Sequence, residues 1–376
     1  MKIDIIGAGI CGLTTALALE KRGFKPNIYE QAKLLKPVGA GIILASNAMQ
    51  VYKHLGIYDQ LKASATPLDS LNITKPDLKV ISRINFNYFK EKYNLQSVAI
   101  HRGKLQQILL ENLHHTKIYL DYELQSIIKQ NEGYRLSFKN EKSITSNIIL
   151  GADGINSRLR KSLFPNSIIR STDQMCWRGV TNFELPIQYK NNLYEAWGKE
   201  SRFAFVQLNT NQIYWYAVKT FKNDKNELSK DKLSHYFRDY AAIIQKIIHA
   251  TPLDTLHTTV IEDLKPIYQW HDNHICLIGD AAHATTPNMG QGACQSIEDA
   301  YAIAEYLKTN NVTTAFEKYQ NARISNAHRV VYQSWQIGKV SHWKNPIGTF
   351  FRNTLLRLTP ERVNQLQLEK LFELQK

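Results

Sequence analysis

The chain opens on a short apolar run, residues 2–6, which breaks at Gly7 and gives way to apolar positions at helical spacing as far as about Arg22. A second apolar run, residues 25–29, ends at Glu30. Short runs bounded by glycine predict buried strands, and the 3.6-residue spacing between them predicts a helix. The same order of signals returns late in the chain. Residues 275–278 predict a buried strand, Gly279 and Asp280 a turn at its carboxyl end, and a helix follows from near Ala293 to about Leu307. A third case lies between these two: a strand at 147–150 runs into Gly151-Ala152-Asp153-Gly154 and a helix that carries Ser157, Arg158 and Arg160.

Around these units the pattern is plainer. Ser46 or Asn47 caps a helix through about Leu55, with Gly56 as its stop. His101 and Arg102 start a helix whose apolar positions are Leu105, Ile108, Leu109 and Leu113. Strands are predicted at 71–73, 80–81, 98–100, 117–120, 124–129 and 134–138, with Pro76 and Asp77 marking a turn. From about Ser171 to Leu264 apolar and polar residues alternate, and Trp177, Phe183, Tyr194, Trp197, Phe203, Phe205 and Tyr214-Trp215-Tyr216 make the segment aromatic. Alternation of this kind predicts an antiparallel sheet, interrupted by a helix over 233–248. Its aromatic face either packs on the rest of the protein or roofs a pocket for a planar substrate. A helix from about Val312 through Arg323 and an amphipathic helical tail over 332–374 close the chain.

Composition changes this picture little. A chain of 376 residues with 43% hydrophobic content accommodates two domains, or one large domain with an insertion. The formal net charge of +14 is spread over scattered Lys and Arg, which describes a solvated basic surface, and no nucleic-acid partner is expected. The tail mixes Trp335, Trp343, Phe350, Phe351, Leu355 and Leu356 with Lys339, Lys344, Arg352 and Arg357. Such a helix can lie on a membrane surface, although packing on its own protein is the commoner use. Cys11, Cys176, Cys276 and Cys294 show neither C-x-x-C nor metal spacing, so a reduced, cytoplasmic setting and no metal are expected. No run reaches membrane-spanning length, and with the first strand beginning at residue 2 no leader is expected.

The candidate chemistry sits on the glycine-broken turns. Gly7-x-Gly9-x-x-Gly12, with a strand before it, a helix after it and Glu30 closing the next strand, is a dinucleotide-binding fingerprint. An acid at Glu30 favours FAD or NAD over NADP. Pro287, Gly290 and Gly292 strip Cβ atoms from the approach to a helix start, leaving N–H groups and a positive dipole end for something anionic or carbonyl-rich. Arg102 sits in a first helical turn, a poor place for a cation unless it serves a ligand. Asp153 and Ser157 read equally as caps of the helix that follows them. The segment 37–44, which includes Gly41, fits either a backbone laid against a flat ligand or an ordinary turn and strand.

Taken together, Gly7-x-Gly9-x-x-Gly12 with Glu30, Asp153-Gly154-x-x-Ser157-x-x-Arg160, and Gly279-Asp280-Ala281-Ala282-His283 followed by Pro287 and Gly290-Gln291-Gly292 resemble the single-component FAD-dependent aromatic hydroxylases. These are the para-hydroxybenzoate hydroxylase-like group A monooxygenases, which include zeaxanthin epoxidases, urate hydroxylases and tetracycline-inactivating enzymes. The resemblance runs from Lys2 to about Pro360. It implies an α/β fold with a Rossmann-like FAD-binding domain (1–70, 98–172 and 268–330), a discontinuous antiparallel substrate domain (71–97 and 173–267) and a C-terminal helical segment (331–376). It also implies hydroxylation or epoxidation of an aromatic or conjugated small molecule with NAD(P)H and O2, through a C4a-hydroperoxyflavin, by a monomer or homodimer.

By the same resemblance Gly7, Gly9 and Gly12 receive the FAD pyrophosphate and Glu30 the adenosine ribose. Arg102 and Asp280 reach the ribityl arm, Gly290, Gln291 and Gly292 present N–H groups to the N1–C2=O edge of the isoalloxazine with Pro287 in the approach to them, and Asp153 and Arg160 serve FAD and NAD(P)H; Gly41 is a further cofactor-binding candidate from its glycine-spaced segment. Arg202 and Tyr214 resemble in spacing the substrate-facing arginine and tyrosine of urate hydroxylases, although a cation beside a phenol on a sheet has a plain structural meaning too. No protein nucleophile is implied, so His283 is expected to be structural and Cys11 and Cys294 to be packing residues. Leu35 and Ile42 stand where tetracycline-modifying members carry polar groups, which counts against that substrate. A flavin-dependent reductase of the same fold and a non-catalytic flavin-binding protein are the alternatives; the W-x-W-x-I-P signature of halogenases is absent.

Overall fold

The computed structural model describes residues 2–36, 40–131, 133–221 and 229–374. Pro37, Val38 and Gly39 of the glycine-spaced segment lie outside these. The three glycine-acid units share one sheet. Its strands run in the order His271–Asp272, Ile275–Leu277, Ile148–Gly151, Ile3–Ile6, Asn27–Tyr29, Lys117–Tyr119, and all but the first are parallel. Ile5 stands beside Leu150 and Leu150 beside Cys276. Strands this apolar, buried on both faces, need helices on both sides. The helices Ile10–Glu20 and Gly292–Thr309 supply part of that cover and pack against each other. Because neighbouring strands are parallel, the turns at Gly7, Asp153 and Asp280 all emerge at the same edge.

The segment 171–264 is a sheet, as its alternation predicts. Seven strands run in the order His257–Leu264, Ile169–Asn182, Gln212–Thr220, Ser201–Gln207, Asn192–Trp197, Ser70–Thr74, Val80–Asn85. The early strands Ser70–Thr74 and Val80–Asn85 belong to this sheet, through its one parallel pair, Asn192–Trp197 with Ser70–Thr74. Two faces separate by strict alternation. Met175, Trp177, Phe203, Phe205 and Trp215 form a core of their own with Leu233, Phe237 and Ile244. The opposite face carries Ala204, Val206 and Tyr214 into the core shared with the nucleotide-binding sheet.

Several expectations need correcting. The helix over 233–248 is two pieces, Leu233–Tyr236 and Ala242–His249. The break lets Phe237 stack edge-on against Phe203 and turns the Tyr240 hydroxyl onto Ser201. Asn47 caps nothing: the helix Ser46–His54 follows Ala45 without a side-chain cap. The tail expected to be helical over 332–374 is helical, in separate pieces. A continuous helix, Val312–Ser341, runs across the expected boundary at 330/331, and two shorter ones, Pro346–Leu358 and Glu361–Phe372, follow. Asn345 caps the first of these, bonding the Ile347 N–H at 2.9 Å, and Pro346 fills its first position.

Candidate active site

The N-terminal turn is forced by its glycines. Gly7 has φ +105°, and a Cβ there would lie 2.5 Å from the Ala152 carbonyl oxygen. A Cβ on Gly12 would lie 2.0 Å from the Gly7 oxygen, so the helix could not close onto the strand. Gly9 is different: nothing stands within 4 Å of its Cβ position. It begins the helix Ile10–Glu20, which has no side-chain cap and no acid in its first turn. Free N–H groups and an open space in front of them suit a pyrophosphate. Glu30 accepts from the Ala8 N–H at 2.6 Å and from the Ala32 N–H at 2.9 Å, so its carboxylate also clamps the turn.

The late turn repeats this logic. Gly279 has φ +59° and fits between the Cys11 sulfur and the Ser296 hydroxyl, each 2.8 Å from its Cβ position. Here the two ends of the chain meet. Gly290 is left-handed at φ +63° with open space around it, and the helix Gly292–Thr309 starts without a side-chain cap or a first-turn acid. Asp280 Oδ1 lies 4.0 Å from the Cβ position of Gly292. Asp280 is solvent-exposed yet ringed by protein, as a group on the floor of a cleft must be. That crowding raises its pKa, while His283 and Arg102 pull the other way, so Arg102 faces the same cleft. Arg102 is exposed at the start of the helix Arg102–Glu111, whose cap is the His101 imidazole. Gly9, Asp280, Arg102, Gly290 and Gly292 therefore belong to neighbouring turns, Gly279 meeting Cys11 and Asp280 facing both Arg102 and Gly292, and their chemistry fits FAD: an uncapped helix start for its phosphates, another for its ring edge.

Beneath the late turn lies a polar cluster that the sequence pattern did not reveal. Asp299 Oδ2 accepts from the Gly279 N–H at 2.9 Å and from His283 Nε2 at 2.5 Å, and its Oδ1 from Arg323 Nε at 2.8 Å. Burial alone would raise the Asp299 pKa; His283 and Arg323 override it and hold the carboxyl well below the usual range. Arg323 also pairs with Glu298 and with the Gln295 side chain. Glu298 Oε1 accepts from Asn47 at 2.6 Å, and Asn47 donates in addition to Gln291 at 3.0 Å. Two adjacent acids, Glu298 and Asp299, among the buried positions of this helix were the available signal.

Asp153 and Arg160 brace the third turn. Asp153 Oδ2 accepts from the N–H of Arg158 and of Leu159, and Ser157 Oγ accepts from that of Arg160, so both serve as caps. Asp153 Oδ1 is buried without a partner among the described residues. Arg160 is 1% exposed and donates to the carbonyls of Ile155 and Ala281, which ties this turn to the residue after Asp280. Its guanidinium is a positioning group in this arrangement.

Over these turns stands the inner face of the large sheet. Tyr214 is buried against Gly41, whose Cβ position is 2.5 Å from the Tyr214 Cβ, so glycine there makes room for the ring. Arg202 is 1% exposed and fully engaged: with Glu195 at 3.0 Å, His342 Nε2 at 3.0 Å and Asn288 Oδ1 at 2.5 Å. Burial and Arg202 hold the His342 pKa well below its ordinary value. The neutral ring thus accepts at Nε2 and donates from Nδ1 to Thr220. Asn288 belongs to the loop before Gly290, so Arg202 fastens roof to floor. The aromatic-roof expectation needs a correction, because Trp177, Phe203, Phe205 and Trp215 point away into the separate core. Tyr214 and Tyr216 are the rings left on the inner face, with Arg178, half-buried, beside both. No salt bridge engages Arg178 among the described residues. Arg178, Glu195 and His342 are the residues here that sequence reasoning missed.

Comparison with known proteins follows this geometry. Residues 1–334 match the family described as FAD binding domain. The aurachin C monooxygenase/isomerase of Stigmatella aurantiaca is 31% identical over 361 residues, covering 95% of this chain and 94% of that protein. The 2-heptyl-3-hydroxy-4(1H)-quinolone synthase of Pseudomonas aeruginosa is 29% identical over 379 residues, 99% of this chain and 98% of that protein. Among solved structures, the HpxO protein of Klebsiella pneumoniae complexed with FAD and uric acid superposes with a TM-score of 0.89 at 22% identity, covering 99% of this chain and 96% of that one.

Proposed function

This chain belongs to the group A family of FAD-dependent monooxygenases, and from that premise we propose that it uses NAD(P)H and O2 to oxygenate a planar, alkyl-bearing heteroaromatic of the 4(1H)-quinolone type. Bound FAD supplies the electron transfer and the oxygen chemistry. The protein's share is to hold, polarise and dry the site. The helix start after Gly9 receives the pyrophosphate, with Gly7 and Gly12 keeping the backbone close. Glu30 sits at the ribose end, and Arg102 and Asp280 flank the ribityl arm. The N–H groups around Gly290–Gly292 would offer a positive dipole end to the carbonyl-rich edge of the flavin ring. Tyr214 on Gly41 and the Arg202–Asn288 link close the roof on the floor and keep water out.

What carries the proposal is the meeting of two uncapped helix starts on neighbouring turns, with Asp280 facing Arg102 beside them. The substrate class rests on a relative whose name specifies a 3-hydroxy-4(1H)-quinolone, and on the cations of the roof. Arg202 already meets Glu195, His342 and Asn288, so it has little left for a carboxylate substrate. Arg178, beside Cys176, Tyr214 and Tyr216 and in no salt bridge among the described residues, is the cation placed to meet a single ring oxygen that carries partial negative charge. The test is NAD(P)H consumption by flavin-loaded protein with a 2-alkyl-4(1H)-quinolone, salicylate, urate and a tetracycline in parallel. The quinolone is expected to stimulate consumption and to gain one oxygen atom. Basal consumption with every quinolone, or oxygen recovered entirely as hydrogen peroxide, would overturn the assignment.

A further inference from the structure

We propose that the outer face of the helix Pro346–Leu358 docks this protein onto an anionic lipid surface. The helix presents Ile347, Phe350, Phe351, Leu355 and Leu358 at 65–72% exposure. Their spacing from Ile347 is i+3, i+4, i+8 and i+11, a single stripe along three turns. Solvated helices do not hold two adjacent phenylalanines and three large aliphatics outward without a use for them. Trp343, 42% exposed, stands at the amino end of the stripe, where an interfacial ring belongs.

The helix cannot roll to hide this face. Arg352, on its opposite side, is 3% exposed and donates to the carbonyls of Val340 and Ser341. Its guanidinium also lies 5.3 Å from the centre of the Trp197 ring. The apolar stripe is therefore held outward by a buried anchor.

Charge identifies the occupant. No Asp or Glu occurs between Glu317 and Glu361, whereas Lys339, Lys344 and Arg357 in that stretch are exposed, Lys344 just ahead of the helix and Arg357 within it. A second copy would bring two such acid-free stretches together. A bilayer of anionic headgroups asks for neither area nor matching charge, only an apolar stripe to sink about 5–10 Å with cations beside it. Among the described residues no helix is long and apolar enough to cross a membrane, so the helix lies on the surface.

The test is co-sedimentation of the full-length, flavin-loaded protein with vesicles of phosphatidylcholine alone or with phosphatidylglycerol added, without NAD(P)H or substrate, so that it stands apart from the reaction. Binding is expected with the anionic vesicles and is expected to weaken in high salt. The pair Phe351→Ser and Leu355→Ser should lower partition by about a hundredfold, since each apolar side chain left in water forfeits about tenfold. Lys344→Glu with Arg357→Glu should remove the preference for anionic lipid. Both pairs replace exposed side chains, so retained flavin colour and melting temperature certify their folds. Failure of the protein to sediment with anionic vesicles, or equal binding by the serine pair, overturns the proposal. So does a self-association, in the absence of lipid, that the serine pair abolishes, because the face then belongs to a second copy.

Discussion

Arg323→Met is the most informative single change. The arginine is 1% exposed and lies between two carboxylates, Glu298 and Asp299, that are themselves 1% and 0% exposed. Methionine roughly fills the stem's volume but takes from both acids the cation they share, leaving Asp299 with His283 and the Gly279 N–H and Glu298 with Asn47. Removing one partner from a buried ion pair costs about 3–5 kcal/mol. At about 2.1 cal/mol/K per residue, 376 residues give an unfolding entropy of roughly 0.8 kcal/mol/K, so the melting temperature should drop by about 4–6 °C near neutral pH. The pH dependence distinguishes lost charge pairing from lost packing. In the native protein the Asp299 pKa is depressed below its unfolded value, so its contribution is present above that unfolded value, near pH 4, and is lost as pH falls through the folded one. Without Arg323 both carboxylates lose a charge that favours their ionised form, and protonation at low pH relieves the strain. The difference in melting temperature between wild type and variant should therefore widen from about pH 4 to about pH 7. Flavin retention should fall in parallel, because Asp299 also holds the Gly279 N–H. A variant as stable as wild type, or a deficit that does not change with pH, would refute the reasoning. Melting curves across pH, followed by flavin fluorescence, measure both.

Other outcomes are expected from the same geometry. Asp280→Ala should fold normally and lose FAD on gel filtration; a variant that stays equally yellow and active would contradict the role of that carboxylate. Gly12→Ala and Gly9→Ala should separate fold from ligand. The first drives a Cβ to 2.0 Å from the Gly7 oxygen and should lower stability by at least the roughly 1–3 kcal/mol of an overpacked core. The second meets nothing within 4 Å and should leave flavin-free melting unchanged while weakening FAD binding in a fluorescence titration. All four cysteines are free and buried, and burial pushes the Cys294 thiol up to about 12. A thiol reagent at mildly alkaline pH should therefore titrate none in the native protein and four after denaturation; rapid labelling of native protein would count against the packing described.

Local signals were legible and distant ones were not. The βαβ unit around Gly7 was readable because strand, glycine turn, helix and Glu30 are consecutive, and the sheet orders them as such. Asn47 was misread as a cap because cap chemistry is local, whereas its true partners, Gln291 and Glu298, lie 244 and 251 residues away. Alternation announced the large sheet, but a period of two cannot say which face meets the cofactor-binding domain. For that reason the pattern left the big aromatics open to either packing or roofing, and the fold gives them a core of their own. The break in the tail did leave a mark, Asn345 followed by Pro346, which is a helix start and not a helix interior. Arg178 and His342 had no mark at all, since each matters only through what the fold brings beside it.

Asp299 accepts donors from a turn, a short helix and a long helix that begins at Val312. During synthesis the nucleotide-binding half emerges from the ribosome first and can adopt its own glycine turn unaided. The ring-facing turn has no such independence, because its anchor waits for Arg323 to be translated. Cofactor capture is thereby deferred until nearly the whole polypeptide exists, and a nascent chain stalled before that point stays colourless.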